Sequence, residues 1–196
     1  TFFSAVPRLY ENIYKKIKGQ MYSSGKIKGF VLKIIFNSIE SKKIHFFYSL
    51  VSKILIRIFI SKKIKSSLGG KIKVLISGGA ALSPKIGFFF NKIGFHLLQG
   101  YGQTEAAPLI SCNTKKDNDP STVGFPIKNV IVKISDENEI IVKGENVMNK
   151  YWNNKKLTNE TIKNDWLHTG DLGYFDNLGR LVINGRKKEI IVTSGG

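Results

Sequence analysis

The run Phe95-His96-Leu97-Leu98-Gln99-Gly100-Tyr101-Gly102-Gln103-Thr104-Glu105 sets an apolar segment directly before a glycine pair, a hydroxyl and a carboxylate. A short apolar run that ends on glycine reads as a buried strand followed by a turn. Two glycines also let the backbone approach a ligand more closely than side chains allow. Thr104 offers a hydroxyl to a phosphate oxygen, Glu105 a carboxylate to a magnesium ion, and Tyr101 a flat face to a base. A Gly-x-Gly met alone is more often an ordinary turn, so the reading depends on what surrounds it.

Upstream, Ile72, Val74 and Ile76 alternate with other residues, which predicts a short strand closed by Ser77-Gly78-Gly79. Pro84 suits the first turn of a helix. Pro84 to Ile93 is therefore predicted helical, Phe95 to Leu98 the next strand, and Gly100 the turn at its carboxyl end. Ligands of open α/β sheets bind beyond such strand ends, so both glycine turns are expected to line one crevice. Downstream of a polar, lysine-rich loop around Thr114 to Ser121 the pattern changes to β-structure. Val130 to Ile134 and Glu139 to Val142 flank Ser135-Asp136-Glu137-Asn138, while Leu167 to Phe175 and Arg180 to Asn184 flank Asp176-Asn177-Leu178-Gly179. Each reads as a hairpin, with Asn153 to Lys163 a helix between them.

Two further stretches complete the constellation. Thr169-Gly170-Asp171-Leu172-Gly173 puts a carboxylate in an apolar, strand-like setting, where an ionised group needs a partner to offset desolvation. Its plain reading is a turn aspartate bonding its own backbone; its functional reading is a ribose site, since one carboxylate can accept from two hydroxyls. Gly185-Arg186-Lys187-Lys188-Glu189 adds a cation that is either solvated or set against a nucleotide. His96 and His168 have no nucleophile or carboxylate at a telling spacing and are assigned to packing.

In this order the stretches resemble the AMP-forming acyl-CoA synthetases of the adenylate-forming superfamily, and among them the long-chain fatty acid CoA ligases. The resemblance is carried by Val6-Pro7-Arg8 with Tyr10-Glu11-Asn12-Ile13-Tyr14, by Ser77 to Leu82, and by Gln99 to Glu105. It continues through Val123-Gly124-Phe125-Pro126, Val147 to Trp152, Trp166 to Gly173 and Gly185 to Gly196. Only the region from about Gly19 to Ser61 stands outside it. The resemblance implies an α/β fold with a distorted β-barrel subdomain. Residues 1–187 would be the later part of the large AMP-binding domain, and residues 188–196 the hinge and the first strand of a small mobile domain. Members of the family are much longer. This chain opens on Thr1 and stops at Gly196 within a motif, with the family's phosphate loop and adenylation lysine outside it, so the resemblance implies a fragment that is inactive by itself.

Roles follow residue by residue from the same resemblance. Gly79, Ala80 and Ala81 would lie against adenine, and Gln99, Gly100, Tyr101, Gly102 and Gln103 would line the nucleotide. Thr104 and Glu105 would act at the phosphates, Glu105 as the ligand of Mg2+. Asp171 would hold the ribose, Arg186 the sugar or phosphate, Lys188 the hinge, and Gly195 and Gly196 would leave room for the pantetheine arm of CoA. The implied activity belongs to lipid metabolism: a long-chain fatty acid and ATP give acyl-AMP, and the acyl group then passes to CoA. Adenylation of another carboxylate (aryl, short-chain or amino acid) is the alternative within the enzyme class, and a non-catalytic remnant that binds nucleotide or membrane is the alternative outside it.

Composition limits the partners. The 196 residues carry a formal charge of +17, yet only Arg8, Arg57, Arg180 and Arg186 are arginine and the other 27 basic residues are lysine. Arginine is the usual side chain for bidentate recognition of phosphate and guanine, so scattered lysine points away from a nucleic-acid reader. A single cysteine, Cys112, permits no internal disulfide, which fits a reducing, cytoplasmic compartment. Ile44 to Ile60 is apolar but is interrupted by Lys53 and Arg57 and falls short of the roughly 20 residues a span needs. With Lys42, Lys43, Lys62 and Lys63 around it, the segment reads either as a core helix with snorkelling lysines or as a peripheral membrane contact.

Overall fold

The computed structural model describes residues 2–23, 62–67 and 69–189, which fall in two compact units divided between Leu98 and Gln99. The Ile44 to Ile60 segment, Gly195 and Gly196 lie outside the described residues.

The first unit is built as α/β. Strand β1 (Phe2–Ala5) leads into helix α1 (Pro7–Ser23), where proline at the first helical position gives up no hydrogen bond. Strand β2 (Val74–Ser77) follows the short helix α2 (Lys62–Ser67) and pairs in parallel with β1, with Phe2 opposite Val74 and Ala5 opposite Ser77. Helix α3 (Pro84–Lys92) begins and ends within a residue of the predicted bounds. It turns out at Gly94, where Phe95 N–H donates to Phe90 O at 3.0 Å and Gly94 N–H to Asn91 O at 3.1 Å, closing the helix end.

The core of this unit follows from helical spacing. Tyr10 and Tyr14 on α1, with Ile13 and Ile17 beside them, face Ile86, Phe89, Phe90 and Ile93 from α3. Tyr10 meets Phe90 edge-on at 5.7 Å, and Tyr14 meets Phe89 at 5.0 Å, the geometry that the ring quadrupole favours. The Tyr10 hydroxyl donates to Ile76 O at 2.8 Å, tying helix to strand. Burial pushes its phenol up to about 12, so that tie persists across the physiological range.

Strand β3 (His96–Gly102) supplies Gln99 to Gly102 to the second unit. The predicted turn at Gly100 is not there: the strand runs through Tyr101 to Gly102, and β4 (Leu109–Cys112) pairs back on it antiparallel. The glycines serve close approach instead of turning. A Cβ on Gly102 would stand 1.7 Å from Pro108 O. The reversal comes later, in the 3-10 turn Thr104–Ala106.

Strand β5 (Phe125–Pro126) pairs with β4, and the rest of the unit is an open antiparallel sheet. It comprises β6 (Val130–Ile134), β7 (Glu139–Gly144), β9 (Trp166–Phe175) and β10 (Leu181–Arg186) in the order β10-β9-β7-β6. The two-residue strand β8 (Ile162–Lys163) also pairs with β9, and helix α4 (Lys155–Thr161) is shorter than its predicted span because its last two residues join the sheet. Both predicted hairpins form. The expected β-subdomain is thus present as an open sheet, and no closed barrel forms among the described residues, since β6 and β10 remain unpaired with each other. Tyr101, Ala106, Ile110, Ile140, Val142, Leu167 and Leu181 make its core.

The lysine-rich loop 114–121 is anchored by polar bonds. Arg180 reaches Asp119 at 3.0 Å, Asp117 at 3.3 Å and Asp176 at 2.7 Å. Buried Gln99 donates through Nε2 to Pro120 O at 2.7 Å, and Asn113 donates through Nδ2 to Thr122 O at 2.8 Å.

Candidate functional site

Strand register assembles the first element of the site. Asp171 on β9 stands opposite Arg186 on β10, just past a register shift between Ile183 and Gly185. Arg186 Nε donates to Asp171 Oδ1 at 2.8 Å, and the Tyr101 hydroxyl, brought in by β3, donates to Asp171 Oδ2 at 2.7 Å. Asp171 is only 5% exposed, whereas the Arg186 side chain is 58% exposed. The desolvated carboxylate therefore has the partners that burial requires, one inside the core and one on the surface. Each carboxylate oxygen retains acceptor capacity beyond its present bond, so further hydroxyls can be received.

Tyr101 is itself buried, and its phenol is held far above the ordinary tyrosine value by desolvation, with the bond to Asp171 acting in the same sense. It is a permanent donor. Its ring belongs to the apolar cluster of the sheet.

The strand segment before Asp171 is shaped by Glu139. Gly170 has φ +73°, a conformation that favours glycine, and its N–H donates to Glu139 Oε1 at 2.9 Å. Thr169 donates to Ile140 O at 2.7 Å and accepts from Asp171 N–H at 3.1 Å. His168 Nδ1 lies 3.0 Å from Glu139 Oε2. Packing is therefore only part of the assignment for His168, which pairs with a carboxylate 29 residues away that no local spacing reveals. His96 is exposed and does not pack in a core.

The second element is the turn that carries Thr104 and Glu105. Thr104 is exposed, and Glu105 Oε1 accepts the Tyr151 hydroxyl at 2.8 Å. Burial first, then the Glu105 carboxylate, raise the Tyr151 phenol above its usual value. Backbone bonds fix the turn: Met148 N–H donates to Glu105 O at 2.8 Å, and Asn146 Nδ2 donates to Ala106 O and to Leu109 O, each at 2.9 Å.

Of the residues singled out in the sequence, Tyr101, Asp171 and Arg186 converge on one carboxylate, while Glu105 is held separately by Tyr151. Gln99 is occupied with Pro120, and Gly100, Gly102 and Gln103 follow the strand into the Glu105 turn. Gly79, Ala80 and Ala81 form the loop after β2 in the first unit, with Ala80 and Ala81 exposed. Lys188 is exposed in a second 3-10 turn, Lys187–Glu189. In that turn Lys187 pairs with Glu137. The roles of Tyr151 and Glu139 carry no local signal, because Tyr151 meets Glu105 across 46 residues and Glu139 meets Gly170 and His168 across 31 and 29.

Among the described residues no group of three or more His, Cys, Asp or Glu side chains could hold a metal by itself. No helix among them is long and apolar enough to cross a membrane.

The profile of the family described as AMP-binding enzyme matches residues 1–152. Long-chain-fatty-acid–CoA ligase FadD15 of Mycobacterium bovis is 39% identical over 137 residues, 70% of this chain and 23% of the relative. Long-chain-fatty-acid–CoA ligase 5 of Rattus norvegicus is 34% identical over 213 residues, covering 100% of this chain and 30% of the relative. Among solved structures, o-succinylbenzoate coenzyme A synthetase from Bacillus subtilis, in complex with ATP and magnesium ion, aligns with TM-score 0.56 and 28% identity over 69% of this chain and 32% of its own. A benzoate CoA ligase from Burkholderia xenovorans aligns with TM-score 0.57 and 26% identity over 62% of this chain and 27% of its own. The chain spans roughly a quarter to a third of the length of the curated relatives it matches.

Proposed function

Because this chain belongs to the AMP-binding enzyme family, we propose that the protein carrying these residues activates a long-chain fatty acid with ATP to acyl-AMP and passes the acyl group to CoA. The observation that carries the reading is the buried Asp171 carboxylate, held between the Tyr101 hydroxyl and the Arg186 guanidinium on neighbouring strands. Identities of 31–39% to long-chain ligases, against 26–28% to the aryl-acid ligases of known structure, support the long-chain class over the aryl one.

In this reading Asp171 accepts the ribose hydroxyls with its remaining lone pairs, and Arg186 swings its exposed guanidinium between that carboxylate and the phosphates. Thr104 donates to phosphate oxygen. Glu105 would hold Mg2+: with Tyr151 donating to Oε1, Oε2 would join substrate oxygens and water in the hard oxygen set that Mg2+ prefers. When bound, the ion neutralises charge on the triphosphate. The chain's own contribution is placement, since holding the attacking fatty carboxylate in line with the α-phosphorus, with pyrophosphate as the leaving group, lowers the entropic part of the barrier. Lys188 is the hinge on which a small domain turns between the two half-reactions, and Gly195 and Gly196 admit the pantetheine arm. The protein works in the cytoplasm and meets its lipid substrate at membrane surfaces, which binding to acidic liposomes tests directly.

ATP–pyrophosphate exchange with palmitate, benzoate, o-succinylbenzoate and an amino acid decides the substrate class. Long-chain acids alone should support exchange, and Glu105→Ala should abolish it. Exchange by that variant at the wild-type rate would remove Glu105 from the mechanism.

A further inference from the structure

The turn bearing Glu105 is gripped at three points by one downstream segment. Asn146 holds the carbonyls of Ala106 and Leu109, Met148 N–H holds the Glu105 carbonyl, and Tyr151 holds the Glu105 side chain. Tyr151 is anchored in turn. Its N–H donates to Thr158 Oγ1 at 3.0 Å, Thr158 Oγ1 donates to Asn154 O at 2.8 Å, and Asn154 Oδ1 caps α4 by accepting Leu157 N–H at 3.0 Å. A continuous chain of bonds therefore runs from the start of α4 to one oxygen of the Glu105 carboxylate, and the other oxygen is not part of it.

We propose that Tyr151 is a positioning and specificity-determining residue, fixing Glu105 so that a single carboxylate oxygen faces the cation and the site prefers Mg2+ to Ca2+. The inference rests on the assignment of Glu105 to the metal. Its chemistry is coordination geometry. Mg2+ takes six oxygens at about 2.0–2.1 Å and is served by a carboxylate oxygen at a single point, whereas Ca2+ takes six to eight at about 2.3–2.6 Å and readily uses both oxygens of one carboxylate. A phenol donating to Oε1 takes one of that oxygen's two lone pairs and competes with a cation there, so coordination through Oε2 alone is favoured over the two-oxygen mode.

The test uses the intact protein and a non-hydrolysable ATP analogue, with the analogue's dissociation constant measured by calorimetry in Mg2+, in Ca2+ and in EDTA. Tyr151→Phe should lower the Mg2+-over-Ca2+ preference about 3- to 10-fold, the worth of one hydrogen bond, and leave the affinity in EDTA within about twofold. An unchanged preference in a variant that melts with the wild type overturns the proposal. Thr158→Val, which frees the Tyr151 N–H while keeping the hydroxyl, decides the matter if Tyr151→Phe melts early: a smaller shift in the same direction supports the role, and no shift overturns it. Glu105→Gln separates the two levels. If it leaves metal dependence intact, the Glu105 assignment fails and takes this inference with it. If it abolishes metal dependence while Tyr151→Phe keeps the preference, only the role of Tyr151 falls.

Discussion

Tyr101→Phe removes one hydroxyl from beside a carboxylate that is 5% exposed. Asp171 Oδ2 then loses its 2.7 Å donor, while Oδ1 keeps Arg186 at 2.8 Å. A hydrogen bond to a charged acceptor contributes about 1.5–3 kcal/mol, and the desolvation cost of the orphaned oxygen is of similar size. Arg186 does little to offset the loss, since its side chain is 58% exposed and a pair of that kind contributes about 0.2–1 kcal/mol. The variant should therefore lose about 1.5–3 kcal/mol in urea unfolding. Asp171→Asn and the double variant complete a thermodynamic cycle whose coupling should exceed about 1 kcal/mol, because the two groups touch. A loss below about 0.5 kcal/mol, or a coupling indistinguishable from zero, would refute the claim that the phenol stabilises this buried charge.

Gly102→Ala places a Cβ 1.7 Å from Pro108 O and should cost at least the upper end of the usual 1–3 kcal/mol or so for overpacking, seen as a fall in melting temperature. Gly185→Ala, where a Cβ meets nothing within 4 Å, is the control and should be close to neutral. The Asp176 carboxyl sits below the ordinary carboxylate value because it accepts from the Arg180 backbone N–H, and then from the Arg180 side chain and the Leu178 N–H, against desolvation. A carboxyl whose folded value is depressed gives its full stabilisation above the unfolded value of about 3.9 and loses it as the pH falls through the lower folded value. Asp176→Ala should accordingly flatten the acid limb of the stability profile below about pH 4, and an unaltered limb would show that this bond network contributes nothing there.

Much of the architecture was legible wherever the signal was local. Pro84 opens α3, and Ser135 to Asn138 and Asp176 to Gly179 turn their hairpins as predicted. Gly100 continues the strand where a turn is expected, because a glycine before a polar turn and a glycine inside a paired strand look alike until the partner strand is in place. His168 was misread for a related reason, its carboxylate being 29 positions away on another strand. The end of Asn153 to Lys163 was read as helix because helical propensity does not reveal that Ile162 and Lys163 pair with β9.

By itself the amino-acid order settled which hydroxyls, carboxylates and cations stand beside the glycines, and where helices and hairpins begin, since both depend on residues within a few positions of one another. Tertiary structure alone decided which donor meets which carboxylate. Tyr101 and Arg186 reach Asp171 across 70 and 15 residues, and Tyr151 reaches Glu105 across 46. Such pairings are set by strand register and by the segment that folds back over the Glu105 turn. A shift of one residue in either would turn every one of these side chains toward a different neighbour.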